Sequence, residues 1–136
     1  MRSSWVVRAT VVVTASSMLA FGIWARWDPV GFADFASWPH HVHFLHDAGV
    51  FQIGIGLTML AALFWRDTIA VVLAGFVVTN TFHAVNHVLD LHRGGNAADP
   101  WLLLALSAVG AVGFVLRVRQ LGRRGRMQET TGGGRQ

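Results

Sequence analysis

The stretch Thr68–His92, TIAVVLAGFVVTNTFHAVNHVLDLH, determines the fold class of this 136-residue chain. It is mainly apolar, carries no charge through Phe82 and is polar in its last turns. A helix needs about 20 mainly apolar residues to cross the hydrocarbon core of a bilayer. A continuous apolar run also lacks the alternation of a membrane β-barrel strand. The stretch therefore predicts a membrane-spanning helix with one polar end.

Three further apolar runs are long enough, or nearly so, to cross a bilayer. The four predicted helices cover about 6–24, 44–65, 68–91 and 100–116. The composition agrees, because 53% of residues are hydrophobic and only 13% are charged, against about 25% charged in soluble domains. We therefore predict an all-α integral membrane protein, a four-transmembrane-helix bundle over residues 1–119.

The first run also has features of a secretory signal peptide, since Arg2 and Arg8 precede its apolar part. A signal peptide ends in small residues at its cleavage site. Here Trp24, Arg26 and Trp27 occupy that place. The sequence therefore favours a retained helix.

The arginines predict the orientation, because cytoplasmic loops of membrane proteins are rich in basic residues. Only Arg26 and Arg93 fall in the predicted loops 26–42 and 91–99, on the side opposite the two termini. The arginines on the side of the two termini are Arg2, Arg8, Arg66, Arg117, Arg119, Arg123, Arg124, Arg126 and Arg135. We predict an N-in/C-in protein. Arginine in place of lysine, with abundant Ala, Gly and Val, is typical of a GC-rich bacterial genome. We therefore expect the protein in a bacterial plasma (inner) membrane.

The C-terminal residues 120–136 are rich in Arg and Gly and have no apolar face. This composition predicts a disordered cytoplasmic tail with weak affinity for anionic lipid. Topology accounts for the basic residues, so we expect no nucleic-acid partner. The expected partners are the lipid bilayer and further subunits, as a homo-oligomer or a larger membrane complex, because four short spans shield a polar cluster poorly.

All seven histidines fall in two segments, 39–47 and 83–92, which the topology places on the same side. At 100° per residue, three ligand-type side chains share one face of each helix. These are His43, His46 and Asp47 on the second helix, and His83, His87 and Asp90 on the third. Because the turn between these helices is short, we expect antiparallel neighbours whose six side chains face each other. Gly49, Gly54 and Gly56 would allow the close approach.

This cluster predicts a site for a divalent transition metal. Two histidines four residues apart on a helix can reach one metal ion. Nitrogen and oxygen ligands suit zinc, iron or copper(II), and zinc is preferred here. The chain has no cysteine, which excludes thiolate sites. Haem ranks lower, because a haem pocket does not need the two aspartates.

The sequence leaves three functions open for the cluster. In a metal-dependent enzyme, the histidines would bind a metal that activates water, and Asp47 or Asp90 would be the general base. In a non-enzymatic accessory subunit, the cluster would be a polar network that locks helices together. In a third alternative, paired His and Asp would sense pH or conduct protons.

Overall fold

The computed structural model describes residues 4–65 and 68–132, and their side chains as far as Arg123. These residues form an all-helical structure with five α-helices and a short 3-10 helix at Leu91–Arg93. The α-helices are α1 Trp5–Trp27, α2 Pro29–Ala36, α3 Val42–Ala61, α4 Ile69–Leu89 and α5 Asp99–Gly132. Four of them, α1, α3, α4 and α5, are long and apolar enough to cross a membrane. The four predicted spans are therefore confirmed as apolar helices.

The last helix is longer than predicted. It runs to Gly132, whereas the sequence predicts an end near Leu116 and a disordered tail from residue 120. Residues 120–132 contain no proline, and seven of the thirteen are Arg, Gln, Met or Glu. These residue types have high helix propensity, which outweighs the scattered glycines. Residues 133–136 of the predicted tail lie outside the described residues.

An additional helix, α2, lies in the segment that the sequence predicts to be a loop. The Asp28 side chain caps it by accepting a hydrogen bond from the Gly31 backbone N–H at 3.0 Å. Pro29 occupies its first turn, where a proline fits a helix well. Phe32 and Ala33 are buried against the end of α1 and the start of α3.

Helix α3 packs along α1 and has only slight contact with α4. A Cβ atom on Gly49 would lie 2.7 Å from the Gly22 carbonyl oxygen of α1, and one on Gly56 would lie 3.0 Å from the Ala15 carbonyl oxygen. Gly54, in contrast, faces open space. The expectation that the second and third spans pack face to face is therefore wrong. Small residues direct α3 to α1, because they allow its backbone to approach α1 closely.

Helix α4 packs along α5 instead. The Asn80 Nδ2 atom donates hydrogen bonds to the Leu103 carbonyl oxygen at 2.6 Å and to Ser107 Oγ at 3.1 Å. The Thr81 hydroxyl donates to the same Ser107 oxygen at 3.2 Å. Asn80 thus links α4 to α5 through hydrogen bonds.

The two ends of the molecule are closed by different contacts. At the terminal end, Gln120 Nε2 donates to Ser4 Oγ at 2.8 Å. At the opposite end, called the α2 end below, the Gly95 N–H donates to the Ser37 carbonyl oxygen at 2.9 Å. Asn96 Nδ2 donates to the carbonyl oxygen of Phe35 at 2.9 Å. These bonds hold the 94–98 loop against the end of α2.

Candidate functional site

The centre of the candidate site is a pair of histidines one turn apart on α4. The Nε2 atoms of His83 and His87 lie 3.1 Å apart, and the ring centroids lie 4.8 Å apart. The His87 side chain is only 10% exposed. Two ring nitrogens at this separation can share one proton or bind one cation.

His87 is held by groups from two other parts of the chain. Its Nδ1 atom lies 3.5 Å from Oδ2 of Asp99, the first residue of α5. The same carboxylate oxygen accepts a hydrogen bond from the Asn96 N–H at 3.0 Å. Trp38 stacks on the imidazole, with ring centroids 5.6 Å apart and planes inclined by 28°. The Asp99 carboxylate at the ring edge and Trp38 on the ring face thus orient the His87 imidazole.

Gly95 allows the 94–98 loop to approach this group closely. Its φ of +103° lies in a region that residues with a side chain rarely adopt. A Cβ atom there would also lie 3.4 Å from Trp38 Nε1 and 3.7 Å from His87 Nδ1. A side chain at this position would therefore add backbone strain, although its Cβ atom would make only ordinary van der Waals contacts with the two rings.

The two histidines line both an open cleft and a smaller, partly open cavity at the α2 end. The cleft has a volume of about 600 Å³, and His41 and Asp90 also line it. The cavity has a volume of about 220 Å³ and lies between all five α-helices. Its lining is mainly apolar, with His83, His87, Asp99 and Gln52 as its polar members. The histidine pair is therefore accessible from the cleft and from this cavity.

The predicted ligands do not all meet at this place. Of the three on α4, Asp90 lines the cleft with the histidines, and its Oδ1 lies 3.6 Å from Nε of Arg93. On α3, His43 and Asp47 pair with each other at 3.5 Å, with side chains 85% and 58% exposed. His46 is half-buried, and none of these three α3 residues lines the cleft or the cavity.

Within residues 4–65 and 68–132, no group of three or more His, Asp or Glu residues is arranged to hold a metal ion. This follows from the helix pairing. Since α3 turns its small residues to α1, its histidines do not face those of α4.

Sequence reasoning missed Asp99, Trp38 and His41 as parts of the site. Asp99 stands directly before Pro100 at the start of a span, a pattern that indicates a helix N-terminus. The sequence therefore contained an indication that Asp99 lies near the histidines, because the predicted topology places this helix start on their side. The sequence contained no such indication for Trp38, because a tryptophan near a span end is typical of a membrane interface.

The chain matches no protein-family model, no curated protein and no solved structure. No activity can therefore be transferred from a relative. What the site does must follow from the chemistry of its own residues.

Proposed function

We propose that this protein binds a divalent transition metal ion, zinc by preference, through His83 and His87. The observation that supports it is the 3.1 Å separation of the two Nε2 atoms. Zinc–nitrogen bonds of about 2.0–2.1 Å in a tetrahedral site place two nitrogen ligands roughly 3.3 Å apart. Metal-binding histidines also typically donate their other N–H to a carboxylate. Asp99 lies where it can accept from His87.

The donor set fits a metal that keeps open positions. Two imidazoles leave room for further ligands, and His41 and Asp90 line the same cleft. Nitrogen and oxygen donors suit zinc, iron or copper(II). With water or a substrate group in an open position, the metal could activate a bound water. A metal-dependent enzyme or a metal-handling protein would use the site in this way.

A second candidate function is a metal-free polar network in an accessory subunit. It is supported by the contacts of His87, which join α4 to Asp99 of α5 and to Trp38 before α3. In such a network His87 is the central group. His83 contributes only its contact with His87.

Elemental analysis of the purified, detergent-solubilised protein separates these candidates. Metal binding predicts bound zinc, iron or copper in the parent and its loss in His83→Ala. His92→Ala is the matched control, because His92 is exposed and Nε of Arg93 donates to it. A metal-free parent from metal-replete growth would contradict the proposal. The network would then be supported if His87→Ala lowered the melting temperature much more than His83→Ala.

We also propose that the chain is a multi-pass protein of a bacterial plasma membrane with both termini in the cytoplasm. Four apolar helices and the excess of arginines at the terminal end support this orientation. The α2 end and its histidines would then face outward. A reporter fused after Gln136 should be active only in the cytoplasm, and one inserted at 95–99 only outside. The reverse pattern would overturn the orientation.

The protein is further proposed to work as a homo-oligomer or as a subunit of a larger membrane complex. The two imidazoles leave a bound metal incompletely ligated, and the cleft that they line is open, so a second copy or another subunit could supply further ligands and shield the polar groups. Mass measurement in a mild detergent should give more than one chain per particle. A strictly monomeric particle, with no partner lost on extraction, would contradict this.

A further inference from the structure

A groove separates α3 from α4, because each of these helices packs on another neighbour. Its volume is about 670 Å³, within the range of about 300–1,000 Å³ typical of small-molecule sites. Another helix, about 10–12 Å across with its side chains, would need more room. Residues on its two walls include Gln52, Gly54 and Thr58 of α3, and Gly75, Thr79 and Asn80 of α4.

The glycines of this groove have a different environment from those that pack helices together. A Cβ atom on Gly54 or Gly75 would meet no atom within 4 Å. A Cβ atom on Gly49 or Gly56 would meet the backbone of α1 at 3.0 Å or less. The groove is therefore open space between membrane-spanning helices, in which a membrane molecule can lie.

Two buried acceptors belong to residues that line the groove near its His83 end. Gln52 Oε1 and Asn80 Oδ1 are buried and have no hydrogen-bond partner among the described residues. Asn80 is only 3% exposed, and its amide nitrogen already donates to Leu103 and Ser107 of α5. Its free atom is therefore an acceptor. Gln52 and Asn80 each lie roughly 15 Å along the helix from a span end. At this depth in a bilayer, an unpaired polar atom is costly.

The groove is polar near one end and apolar towards the other. His83 lines the groove near Gln52 and Asn80, and it also lines the cleft and the cavity. Towards the terminal end, the lining continues to Met59 and Val72. The distance from Asn80 to Val72 along α4 is about 12 Å. A polar head at one end and a hydrocarbon chain along the rest would match this lining.

We propose that the groove binds a single-chain membrane amphiphile with a hydroxyl head. The hydroxyl donates a hydrogen bond to Gln52 Oε1, and the hydrocarbon chain extends along the groove towards Val72. The head would lie beside His83, so such a lipid alcohol would also be the natural substrate class for chemistry at the histidine pair. Binding in the groove does not depend on a metal.

Photolabelling in phospholipid nanodiscs tests this proposal without a variant. The probe is hexadecanol that carries a diazirine on its chain, and the control probe is the corresponding hexadecane without the hydroxyl. We expect the alcohol to label groove residues of α3 and α4, and excess unlabelled hexadecanol to suppress this labelling. Equal labelling of all lipid-facing surfaces, or labelling that excess hexadecanol does not reduce, would overturn the proposal.

Variants then test the binding of the hydrocarbon chain and of the hydroxyl head separately. Gly54→Leu with Gly75→Leu fills open space in the groove and should abolish groove labelling by the alcohol. Gly122→Leu, at another glycine whose Cβ would meet nothing within 4 Å, should leave it unchanged. Gln52→Leu should weaken labelling by the alcohol roughly fivefold, the equivalent of one hydrogen bond, and leave hexadecane labelling unchanged.

Two results would contradict the amphiphile. If Gln52→Leu reduced labelling by both probes equally, the groove would select hydrocarbon and not a hydroxyl. If the double leucine variant instead turned an oligomer into a monomer in native mass spectrometry, the occupant would be a second copy of the chain. Metal analysis of the same samples is independent of both results, so failure of the metal proposal is recognised separately.

Discussion

Asp99 determines how the imidazole of His87 is presented. Its carboxylate lies 3.5 Å from His87 Nδ1 and is itself fixed by the Asn96 N–H. The change Asp99→Asn keeps the shape of the side chain but removes the charge that favours an N–H at Nδ1. We expect zinc affinity to fall about 10–100-fold, as for other carboxylate partners of metal-binding histidines. Competition titration against a chelating dye measures this.

The control for this change is Asp47→Asn on α3. Asp47 also lies beside a histidine, His43, but both side chains are exposed and outside the cleft. Zinc affinity should therefore equal that of the parent. An Asp99→Asn protein with unaltered affinity would show that the carboxylate does not support a metal ligand.

At the residue scale, helical spacing predicted only the contacts within one helix. Residues four apart lie on one face, and the His83 and His87 rings do meet. The direction of that face depends on packing, which spacing does not give. Asp99 and Trp38 approach His87 from segments distant in sequence, so their part in the site could not be read from a local pattern.

At the element scale, a polar contact between two apolar helices links α4 to α5. Asn80 donates to Leu103 and Ser107. Removing the amide in Asn80→Ala should lower the free energy of unfolding by about 0.6–1.7 kcal/mol, as measured for hydrogen bonds between membrane helices. Unfolding in mixed detergent and sodium dodecyl sulfate measures this change.

Thr58→Ala is the control for Asn80→Ala. The Thr58 hydroxyl donates at 2.8 Å to the Gly54 carbonyl oxygen of its own helix, so its loss breaks no contact between helices. Its stability should stay close to that of the parent. Equal destabilisation by the two changes would show that the Asn80 bonds do not hold α4 to α5.

Span positions were predictable, whereas helix partners were not. The thickness of the hydrocarbon core determines the length of an apolar helix, so four runs of that length indicate four spans. Helix association in lipid depends on small residues and polar contacts, because apolar side chains gain little by leaving lipid for another helix. Gly49 and Gly56 are seven residues apart and share a face, whereas Gly54 lies about 140° from Gly49. The short turn between the second and third spans predicted α4 as the partner of α3, whereas Gly49 and Gly56 lie against α1.

At the scale of the whole molecule, metal binding at the histidine pair would depend on the folded state, because Asp99 of α5 and Trp38 before α3 position His87. A ligand that binds only the folded state stabilises it by about 2.7 kcal/mol at a hundredfold excess over its dissociation constant. We therefore expect zinc to raise the melting temperature of the metal-stripped parent. The rise should disappear in His83→Ala and in His87→Ala, and the double variant should be little worse than either.

The same titration distinguishes this site from one shared between α3 and α4. His43→Ala should keep the full rise in melting temperature, because His43 is 85% exposed and lies outside the cleft. If His43→Ala abolished the rise as completely as His87→Ala, α3 would have to contribute a ligand. The groove between α3 and α4 would then have to close when metal binds, and zinc should exclude the hexadecanol probe. Undiminished labelling by that probe in the presence of zinc, with stabilisation retained in His43→Ala, would place the metal on α4 beside an open groove.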